Sequence, residues 1–427
     1  MVIIGAGLII LLVLGVPVSF AVGAASVVGA VLLTDISGME IFAGMLESLC
    51  DPLLLAVPLF ILAANLMNEG KATDRLIDVG TALLGHRRGG LAYVNILVSM
   101  IFAGVTGSSQ EDTVSVGKNM IPSMARQGYD RKTAVGVTAA SSTIGSVIPP
   151  SVSMVVFSTL VHVDTAELFL CGLLPGVLLG LFMMAAVWLL NRKKHFPSGE
   201  RAERETVKRL IMESLPALLT PVILIGGIVS GWFTVTEAAM FACLYSLVTG
   251  IFFYGEIKPS RLPGIFVETM KAAALPLFAF STAGSLGKLV SYYNLDGQVL
   301  AVFSGMEGDP FIFLLAVEIL LLAVGMFMDA SPAMILLVPI LQPASAALGV
   351  PLLALGLTVV ITLSLGLVTP PYGPCLLIAS GIGGLSMEEG FRGTLPYFLS
   401  SVLVLLLLAA APQFFAELPV MLFPGRF

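Results

Sequence analysis

Residues 139–153 read AASSTIGSVIPPSVS, a run of small hydroxyl residues, one glycine and two adjacent prolines inside otherwise apolar sequence. A helix cannot continue through two adjacent prolines, because each lacks a backbone N–H and the second pushes the first out of the α region. Non-helical backbone at membrane depth is tolerated only where it is buried in protein or lines a wet cavity. The stretch therefore predicts a broken membrane helix of the kind that forms binding sites in secondary transporters. A kinked helix that serves only packing is the alternative interpretation.

The same break recurs in the second half of the chain. Residues 363–374 read LSLGLVTPPYGP, and the glycine and both prolines lie 221 residues after their counterparts in the first break. Three further pairs keep this spacing, and one PLF tripeptide repeats at a shift of 218 residues: Gly128 and Gly349, Pro122 and Pro343, Gly104 and Gly325, and residues 58–60 and 276–278. Matches at so many helix-breaking and turn-forming residues indicate an internal duplication.

The composition restricts the chain to one broad class. Of its 427 residues 57% are hydrophobic and only 11% are charged, which is too little charge to cover a soluble protein of this length. The chain is therefore predicted to be a polytopic helical membrane protein. Its four cysteines and three histidines lie far apart at no metal-ligand spacing, and no enzyme motif stands out. We expect no enzymatic activity, transition metal, organic cofactor or nucleic-acid partner.

The distribution of charge predicts the orientation in the membrane. Residues 69–90 hold four basic residues, whereas the preceding loop at 34–40 is acidic and has none. The apolar runs at 1–33 and 41–68 are each predicted to span the membrane once. By the positive-inside rule the basic segment is cytoplasmic, and so is the N-terminus. The counterpart of this segment in the second copy, 291–309, carries acidic residues and no basic one. This reversal is expected of two inverted-topology repeats in an all-α membrane protein.

Each copy also contains a predicted re-entrant hairpin. The apolar run at 91–125 is interrupted at 106–112, which leaves two arms that would each reach about 22 Å, short of a hydrocarbon core of about 30 Å. Basic residues follow the second arm, so that the chain returns to the cytoplasmic side. Two short full spans are the alternative. A second hairpin is expected over 310–348, with its interruption at 328–331.

These elements divide the chain into six parts. They are scaffold helices with an interfacial arm (1–90), a hairpin with a broken helix (91–160), connecting spans with a cytoplasmic linker at 192–213 (161–232), a second scaffold with its arm (233–309), a second hairpin with a broken helix (310–383), and a C-terminal span (384–427).

The two hairpin tips and the two helix breaks are predicted to meet near the centre of the bilayer. The first tip offers the free carbonyls of a helix end and the side-chain oxygens of Thr106, Ser108, Ser109, Asp112 and Thr113, which are hard ligands suited to Na⁺. The alternative is that these hydroxyls merely cap helices. Asp329 lies at the second tip, and an ionisable group at membrane depth is costly and is a functional candidate. It would serve as a sodium ligand, a proton carrier or a cap.

At these residues the chain resembles a known family, the large membrane subunit of the tripartite ATP-independent periplasmic (TRAP) transporters. The matching stretches cover essentially the whole chain: GSS-x-x-D at 107–112 with Gly117, IPSMARQGYD at 121–130, IGSVIPPS at 144–151, GGIVSGWFTVTEAA at 226–239, GMFMD at 325–329 and GLVTPPYG at 366–373. Three positions depart from the family pattern: Glu111, Val235 and Thr362.

The resemblance implies an elevator-type Na⁺ symporter in the bacterial inner membrane. Its partners would be a separate small transmembrane subunit, a periplasmic substrate-binding protein, the organic anion and membrane lipids. The candidate sodium-binding residues are Thr106, Ser108, Ser109, Ser142, Gly145, Gly325, Asp329, Thr362, Gly366 and Thr369. The candidate substrate contacts are Ser109, Pro150, Ser151, Pro371 and Gly373.

The predicted function is Na⁺-coupled import of small organic acids, such as C4-dicarboxylates or sialic acid, delivered by the periplasmic protein. The alternative is a stand-alone Na⁺/anion symporter of related inverted-repeat architecture, which needs no partner. An ion channel is disfavoured, because dead-end hydroxyl sites at re-entrant tips suit occlusion better than a continuous pore.

Overall fold

The computed structural model describes residues 2–293 and 309–423, and every regular element within these ranges is a helix. Seven of these helices are long and apolar enough to cross a membrane: Pro52–Glu69, Thr165–Lys194, Arg204–Ser230, Val235–Phe253, Pro259–Leu289, Ala330–Ala347 and Met387–Ala410. The prediction of an all-α polytopic membrane protein is confirmed. Most of the acidic segment 291–309 lies outside the described residues, and the inverted orientation of the two copies stays a prediction.

The N-terminal scaffold is more broken than the sequence suggested. The expected single span over 1–33 is two helices, Val2–Val13 and Val18–Leu33, because Gly15 adopts a left-handed φ of +80° and a proline follows at position 17. At 1.5 Å per residue the first of them reaches only about 18 Å. The expected span over 41–68 is likewise divided.

That second division falls at Asp51. Helix Gly38–Glu47 gives way to two short 3₁₀ turns before helix Ala56–Glu69 begins. The Asp51 carboxylate accepts a hydrogen bond of 2.8 Å from the Leu53 amide and so caps the second turn. The sequence carries a local signal for this break, because Pro52 follows Asp51 and occupies the first position of the second turn.

The interfacial arm is helix Ala72–Leu84, which buries one face as its apolar spacing predicts. Its charged end contacts the second copy of the repeat. Lys71 forms an ion pair of 2.8 Å with Glu256, and the Arg75 guanidinium lies 4.0 Å from the centre of the Tyr254 ring. The arm is thereby joined to the segment that follows helix Val235–Val248.

The first transport unit consists of two elements. Hairpin 1 is made of helices Gly90–Thr106 and Ser109–Arg126. Broken helix 1 consists of helix Arg131–Ser142, a 3₁₀ turn at Thr143–Ser146, and helix Val152–Val161 after the two prolines.

The second transport unit repeats this arrangement. Hairpin 2 is made of helices Pro310–Gly325 and Ala330–Ala347. Broken helix 2 is made of helices Leu352–Gly366 and Pro374–Gly383. The peptide bond between the two prolines is cis in both broken helices. The breaks therefore lie where the sequence predicted them.

The connecting helix Thr165–Lys194 packs against the first transport unit through a row of glycines. A Cβ atom on Gly172 would lie 2.8 Å from the Val147 carbonyl oxygen, and one on Gly176 would lie 2.4 Å from an Ile148 side-chain carbon. The GxxxG face is thus occupied within this chain by the break itself. Helices Arg204–Ser230, Leu262–Tyr292 and Met387–Ala410 complete the frame.

Candidate functional site

The tip of hairpin 1 is a turn of only two residues. Gly107 ends the first arm with a φ of +59°, and Ser108 caps the second arm. A Cβ atom at Gly107 would lie 2.6 Å from the Pro150 carbonyl oxygen, so glycine permits the tip to touch broken helix 1. The predicted interruption at 106–112 is too long. Glu111 and Asp112 instead form the first helical turn, where the helix dipole favours negative charge.

A chain of hydroxyl groups connects this tip to the two breaks. The Ser109 and Ser146 hydroxyl oxygens lie 2.9 Å apart, and Thr113 donates to the Ser142 hydroxyl at 2.6 Å. The Ser146 hydroxyl in turn hydrogen-bonds to Ser364 of broken helix 2. The structure thus brings together hydroxyl oxygens from three elements that are far apart in sequence.

Asp112 lies within this polar cluster and is fully buried. Neither of its carboxylate oxygens makes a hydrogen bond of ordinary geometry with a described residue, although the Ser99 side chain lies close enough to interact weakly with the carboxylate. A Cβ atom on Gly145 would lie 3.4 Å from the Asp112 Cβ, so the acid borders the first break. Burial of an unpartnered carboxylate is costly unless a cation or a proton neutralises it. Asp112 is not in the set of candidate sodium-binding residues, although the sequence already places its carboxylate among the oxygens of the first tip.

Asp329 is the N-cap residue of helix Ala330–Ala347 at the tip of hairpin 2, the position that Ser108 holds in hairpin 1. Its carboxylate does not cap that helix through its side chain. It accepts a hydrogen bond of 2.7 Å from the Gln110 side-chain amide and a longer one of 3.5 Å from the Tyr372 hydroxyl. Asp329 therefore joins hairpin 2 both to hairpin 1 and to the turn of broken helix 2.

The backbones of hairpin 2 and broken helix 2 approach each other closely. A Cβ atom on Gly366 would lie 2.7 Å from the Gly325 Cα, so only glycine fits at this crossing. Thr369 donates to the Gly366 carbonyl oxygen at 2.7 Å, whereas the buried Thr362 hydroxyl has no partner among the described residues. These four candidate sodium ligands lie on either side of one packed interface.

The remaining candidate residues serve local roles in the structure. Thr106 is buried and donates to the Phe102 carbonyl oxygen at 3.4 Å. Ser151 is buried, donates to the Ser146 carbonyl oxygen at 2.5 Å and accepts from the Met154 amide at 3.2 Å.

A cavity of about 340 Å³ lies between the two hairpin tips and the scaffold helices. The tips contribute polar side chains to one wall: Ser108, Ser109, Gln110, Glu111, Asp329 and Ser331. The scaffold wall consists mainly of apolar residues: Ile61, Lys271, Ala272, Leu275 and Pro276. Of the candidate substrate contacts, Ser109 lines this cavity, whereas Pro150, Ser151, Pro371 and Gly373 precede the second segments of the broken helices.

Within residues 2–293 and 309–423 no three His, Cys, Asp or Glu side chains are grouped as a metal site would require. The oxygen atoms near the tips come instead from hydroxyls, carbonyls and single carboxylates. Such a set suits a hard monovalent cation better than a transition metal.

Comparison with known proteins establishes the family. Residues 6–414 match the family model of the tripartite ATP-independent periplasmic transporter, DctM component. The chain belongs to this family. It is therefore a multi-pass transporter permease and not an enzyme. Transporters of this family lie in the inner membrane of bacteria, and their systems include a small membrane subunit and a periplasmic binding protein.

Several curated relatives of this DctM component are similar over most of its length. It is 34% identical to the sialic acid TRAP transporter large permease protein SiaM of Vibrio cholerae over 96% of both chains. It is 33% identical to the C4-dicarboxylate TRAP transporter large permease protein DctM of Pseudomonas aeruginosa over 86% of both. A third relative is the sialic acid TRAP transporter permease protein SiaT of Haemophilus influenzae, which is 34% identical over 87% of this chain; the chain spans only 60% of SiaT.

Two solved structures share the fold of this DctM component. The Alcanivorax borkumensis YdaH transporter superposes with a TM-score of 0.62 at 16% identity, over 90% of each chain. The Neisseria gonorrhoeae MtrF structure superposes with a TM-score of 0.59 at 11% identity, over 95% of this chain and 94% of MtrF.

Proposed function

We propose that this DctM component couples the inward movement of Na⁺ to the import of a small organic acid, which a periplasmic binding protein delivers to it and a small membrane subunit. The observation that carries the proposal is Asp112, a fully buried carboxylate that makes no hydrogen bond of ordinary geometry with a described residue and lies within a cluster of hydroxyl groups. A bound cation would neutralise that charge without removing any hydrogen bond from it.

The first sodium site would lie between the tip of hairpin 1 and broken helix 1. Its proposed ligands are oxygen atoms of Ser108, Ser109, Ser142 and Asp112, together with carbonyl oxygens near Thr106 and Gly145. Ser109 and Ser142 already share hydrogen bonds with neighbouring hydroxyls, so their oxygens are held close to one another. A pre-arranged oxygen cluster binds a cation at lower entropic cost than a flexible one.

The second sodium site would lie at the interface of hairpin 2 and broken helix 2. Its proposed ligands come from five residues: Gly325, Asp329, Thr362, Gly366 and Thr369. The Thr362 hydroxyl supports this assignment, because it is buried and has no partner among the described residues. Binding there would compete with the hydrogen bonds that Asp329 now accepts.

The proposed transport step is an elevator-type movement in which both transport units move against the scaffold. The arrangement of the cavity supports this, since the hairpin tips form one wall and the scaffold helices form the other. Re-entrant placement of the hairpins is part of the same proposal. The first arm of each hairpin, Gly90–Thr106 and Pro310–Gly325, has only 17 or 16 residues and so reaches about 24–26 Å.

The substrate class is taken from the names of the relatives. Those names refer to sialic acid, C4-dicarboxylates, 2,3-diketo-L-gulonate and isethionate. All of these are small organic anions, so we propose that this permease also transports one.

Uptake into proteoliposomes tests the proposal. The permease, its small subunit and its binding protein are reconstituted, and the four acids named above are supplied with an inward Na⁺ gradient. We expect uptake of at least one acid that requires both Na⁺ and the binding protein. Uptake that needs Na⁺ but neither the small subunit nor the binding protein would favour the stand-alone symporter. Uptake at the same rate with and without a Na⁺ gradient would contradict the coupling.

A further inference from the structure

The scaffold wall of the cavity carries one charged side chain, Lys271. This lysine lies on helix Leu262–Tyr292 and is the one basic residue among those that line the cavity. The opposite wall, which the hairpin tips form, carries the two carboxylates Glu111 and Asp329. The cavity therefore has a positive scaffold side and a negative tip side.

Lys271 is exposed, and it forms no ion pair or side-chain hydrogen bond with any described residue. Other lysines of this protein are engaged. Lys132 pairs with Glu389 at 3.2 Å, and Lys288 donates to the Glu40 carbonyl oxygen at 2.6 Å. Charged residues within membrane segments generally face an interior or a wet cavity and have a partner there. The partner of Lys271 is thus to be sought in the cavity.

Lys271 lies in the first third of a helix of 31 residues. Lys271 is nine residues into its helix, which places it about 14 Å along the axis from the first residue. The repeat of the PLF tripeptide pairs position 271 with Leu53, 218 residues earlier. Leu53 is apolar but lies in a 3₁₀ turn instead of a helix, so the comparison shows only that the repeat pattern does not require a charge at this position.

We propose that Lys271 is the residue that recognises the anionic group of the substrate, and this proposal rests on the function proposed above. The carboxylate or sulfonate of the acid would bind the Lys271 ammonium. The rest of the molecule would lie against the tip hydroxyls of Ser108, Ser109 and Ser331. A cavity of about 340 Å³ is at the lower end of the range for small-molecule sites, roughly 300–1,000 Å³, and so favours a short acid.

This placement gives the lysine a role in coupling as well. The carboxylate of Asp329 repels an anion until a cation in the second sodium site neutralises it, so cation binding at that tip strengthens anion binding in the cavity. Lys271 belongs to the scaffold, whereas the proposed sodium ligands belong to the transport units. Movement of the tips away from the scaffold would therefore break the contact between lysine and acid and favour release.

The test uses the reconstituted three-component system with an inward Na⁺ gradient. The probes are succinate, N-acetylneuraminate, 2,3-diketo-L-gulonate and isethionate, and the acid that wild type imports fastest is chosen. Uptake is compared for Lys271→Gln, Lys271→Met and Lys271→Arg. Lys258→Gln is the matched control, because this exposed lysine precedes the same helix and does not line the cavity.

We expect the KM of both neutral variants to rise about tenfold or more, as the loss of a charge-assisted hydrogen bond implies. Lys271→Arg should stay within a few-fold of wild type, and Lys258→Gln should be unchanged. Competition by the neutral amide or sulfonamide of the same acid supplies a second readout. Wild type should prefer the acid, and that preference should fall about tenfold in the neutral variants.

The possible failures are distinguishable. If wild type imports none of the four acids, the importer itself is wrong and the role of Lys271 is overturned with it. If wild type imports an acid, and a neutral variant that elutes as a folded complex keeps the same KM and the same preference over the amide, only the role of Lys271 is overturned. If Lys271→Arg also raises the KM about tenfold and lowers the preference for the acid over its amide, the lysine acts through packing and not through its charge, and its role in recognition is overturned.

Discussion

The side-chain amide of Gln110 donates a hydrogen bond of 2.7 Å to the carboxylate of Asp329, and the two residues are 219 positions apart in the chain. Gln110 is in the first turn of the second arm of hairpin 1, and Asp329 is the N-cap residue in hairpin 2. This contact joins the tips of the two repeated units directly. It also occupies an oxygen atom that the proposed second sodium site would use.

Replacement of Gln110 by leucine should weaken the association of the two tips. Leucine fills a similar volume but cannot donate to Asp329, and the lost hydrogen bond is worth about 1 kcal/mol. We expect a Tm lower by about one degree without Na⁺. The difference from wild type should be smaller in saturating Na⁺, because the bound ion would then interact with the carboxylate in both proteins. Thermal unfolding of the purified protein in both buffers measures this. Gln413→Leu is the control, because that exposed amide makes only a 3.3 Å contact far from the tips.

Gly366→Ala should destabilise the second transport unit. The added Cβ would lie 2.7 Å from the Gly325 Cα, and backbone on both sides cannot move away as a flexible side chain would. Such overpacking costs about 1–3 kcal/mol. Thermal unfolding and size-exclusion profiles should show a lower Tm or an aggregated fraction. Gly381→Ala in the next helix has open space around its new methyl group, and an equal loss in that variant would contradict the steric argument.

The positions of the helix breaks could be predicted from sequence because proline and glycine act locally. Two adjacent prolines end a helix whatever surrounds them, so the breaks before Val152 and Pro374 follow from the sequence alone. The division of the first span at Gly15 and the cap at Asp51 were missed. Both breaks contain a lone proline, Pro17 and Pro52, but lone prolines also lie inside intact helices of this chain, as Pro122 and Pro175 do. A single proline therefore does not fix a break unless its tertiary surroundings permit one, and these are not visible in the sequence.

The candidate site was predictable only in part for a related reason. The sequence could place Ser109 and Asp329 at the hairpin tips, because each lies where an apolar run is interrupted. In the structure both residues line the same cavity. The burial of the Asp112 carboxylate and the place of Lys271 in the cavity wall depend on contacts between elements that are far apart in the chain. No local pattern tells a buried carboxylate with a partner from one without.

Substitution of the tip serines should weaken Na⁺ dependence. The double variant Ser108→Ala and Ser109→Ala removes two oxygens from the proposed first site, a loss of roughly 1.5–3 kcal/mol for a charge-assisted contact. We expect about a tenfold or larger rise in the Na⁺ concentration that half-saturates uptake. Asp112→Asn should raise it further, since it also removes the neutralising charge. If a folded double variant keeps the same Na⁺ dependence, the two serines only cap the helix and are not sodium ligands.

Labelling of introduced cysteines tests the inverted topology. In a background without the four native cysteines, Thr81→Cys lies in the interfacial arm, and Gln298→Cys lies in its acidic counterpart, outside the described residues. The first should react with an impermeant thiol reagent only from the cytoplasmic side and the second only from the periplasmic side. Reaction of both from the same side would contradict the inverted repeat.

Asp329 distinguishes sodium coupling from proton coupling. Its carboxylate is held between the Gln110 amide and the Tyr372 hydroxyl, both of which donate to an ionised acid. Thr362, Thr369 and the carbonyls of the broken helix supply further oxygens that solvate a cation without titrating. We therefore expect Asp329→Asn to abolish or severely impair Na⁺-driven uptake, while the protein still folds and binds its small subunit.

Uptake in proteoliposomes with only one gradient imposed at a time decides between the two ions. Wild type should import its acid with an inward Na⁺ gradient and stay inactive with an inward proton gradient in Na⁺-free buffer. Asp329→Asn should be inactive in both, and Asp309→Asn, which alters an N-cap residue at the far end of hairpin 2, should keep Na⁺-driven uptake. If wild type imports with protons alone and Asp329→Asn removes that activity, Asp329 carries a proton and the assignment of sodium to this site is wrong.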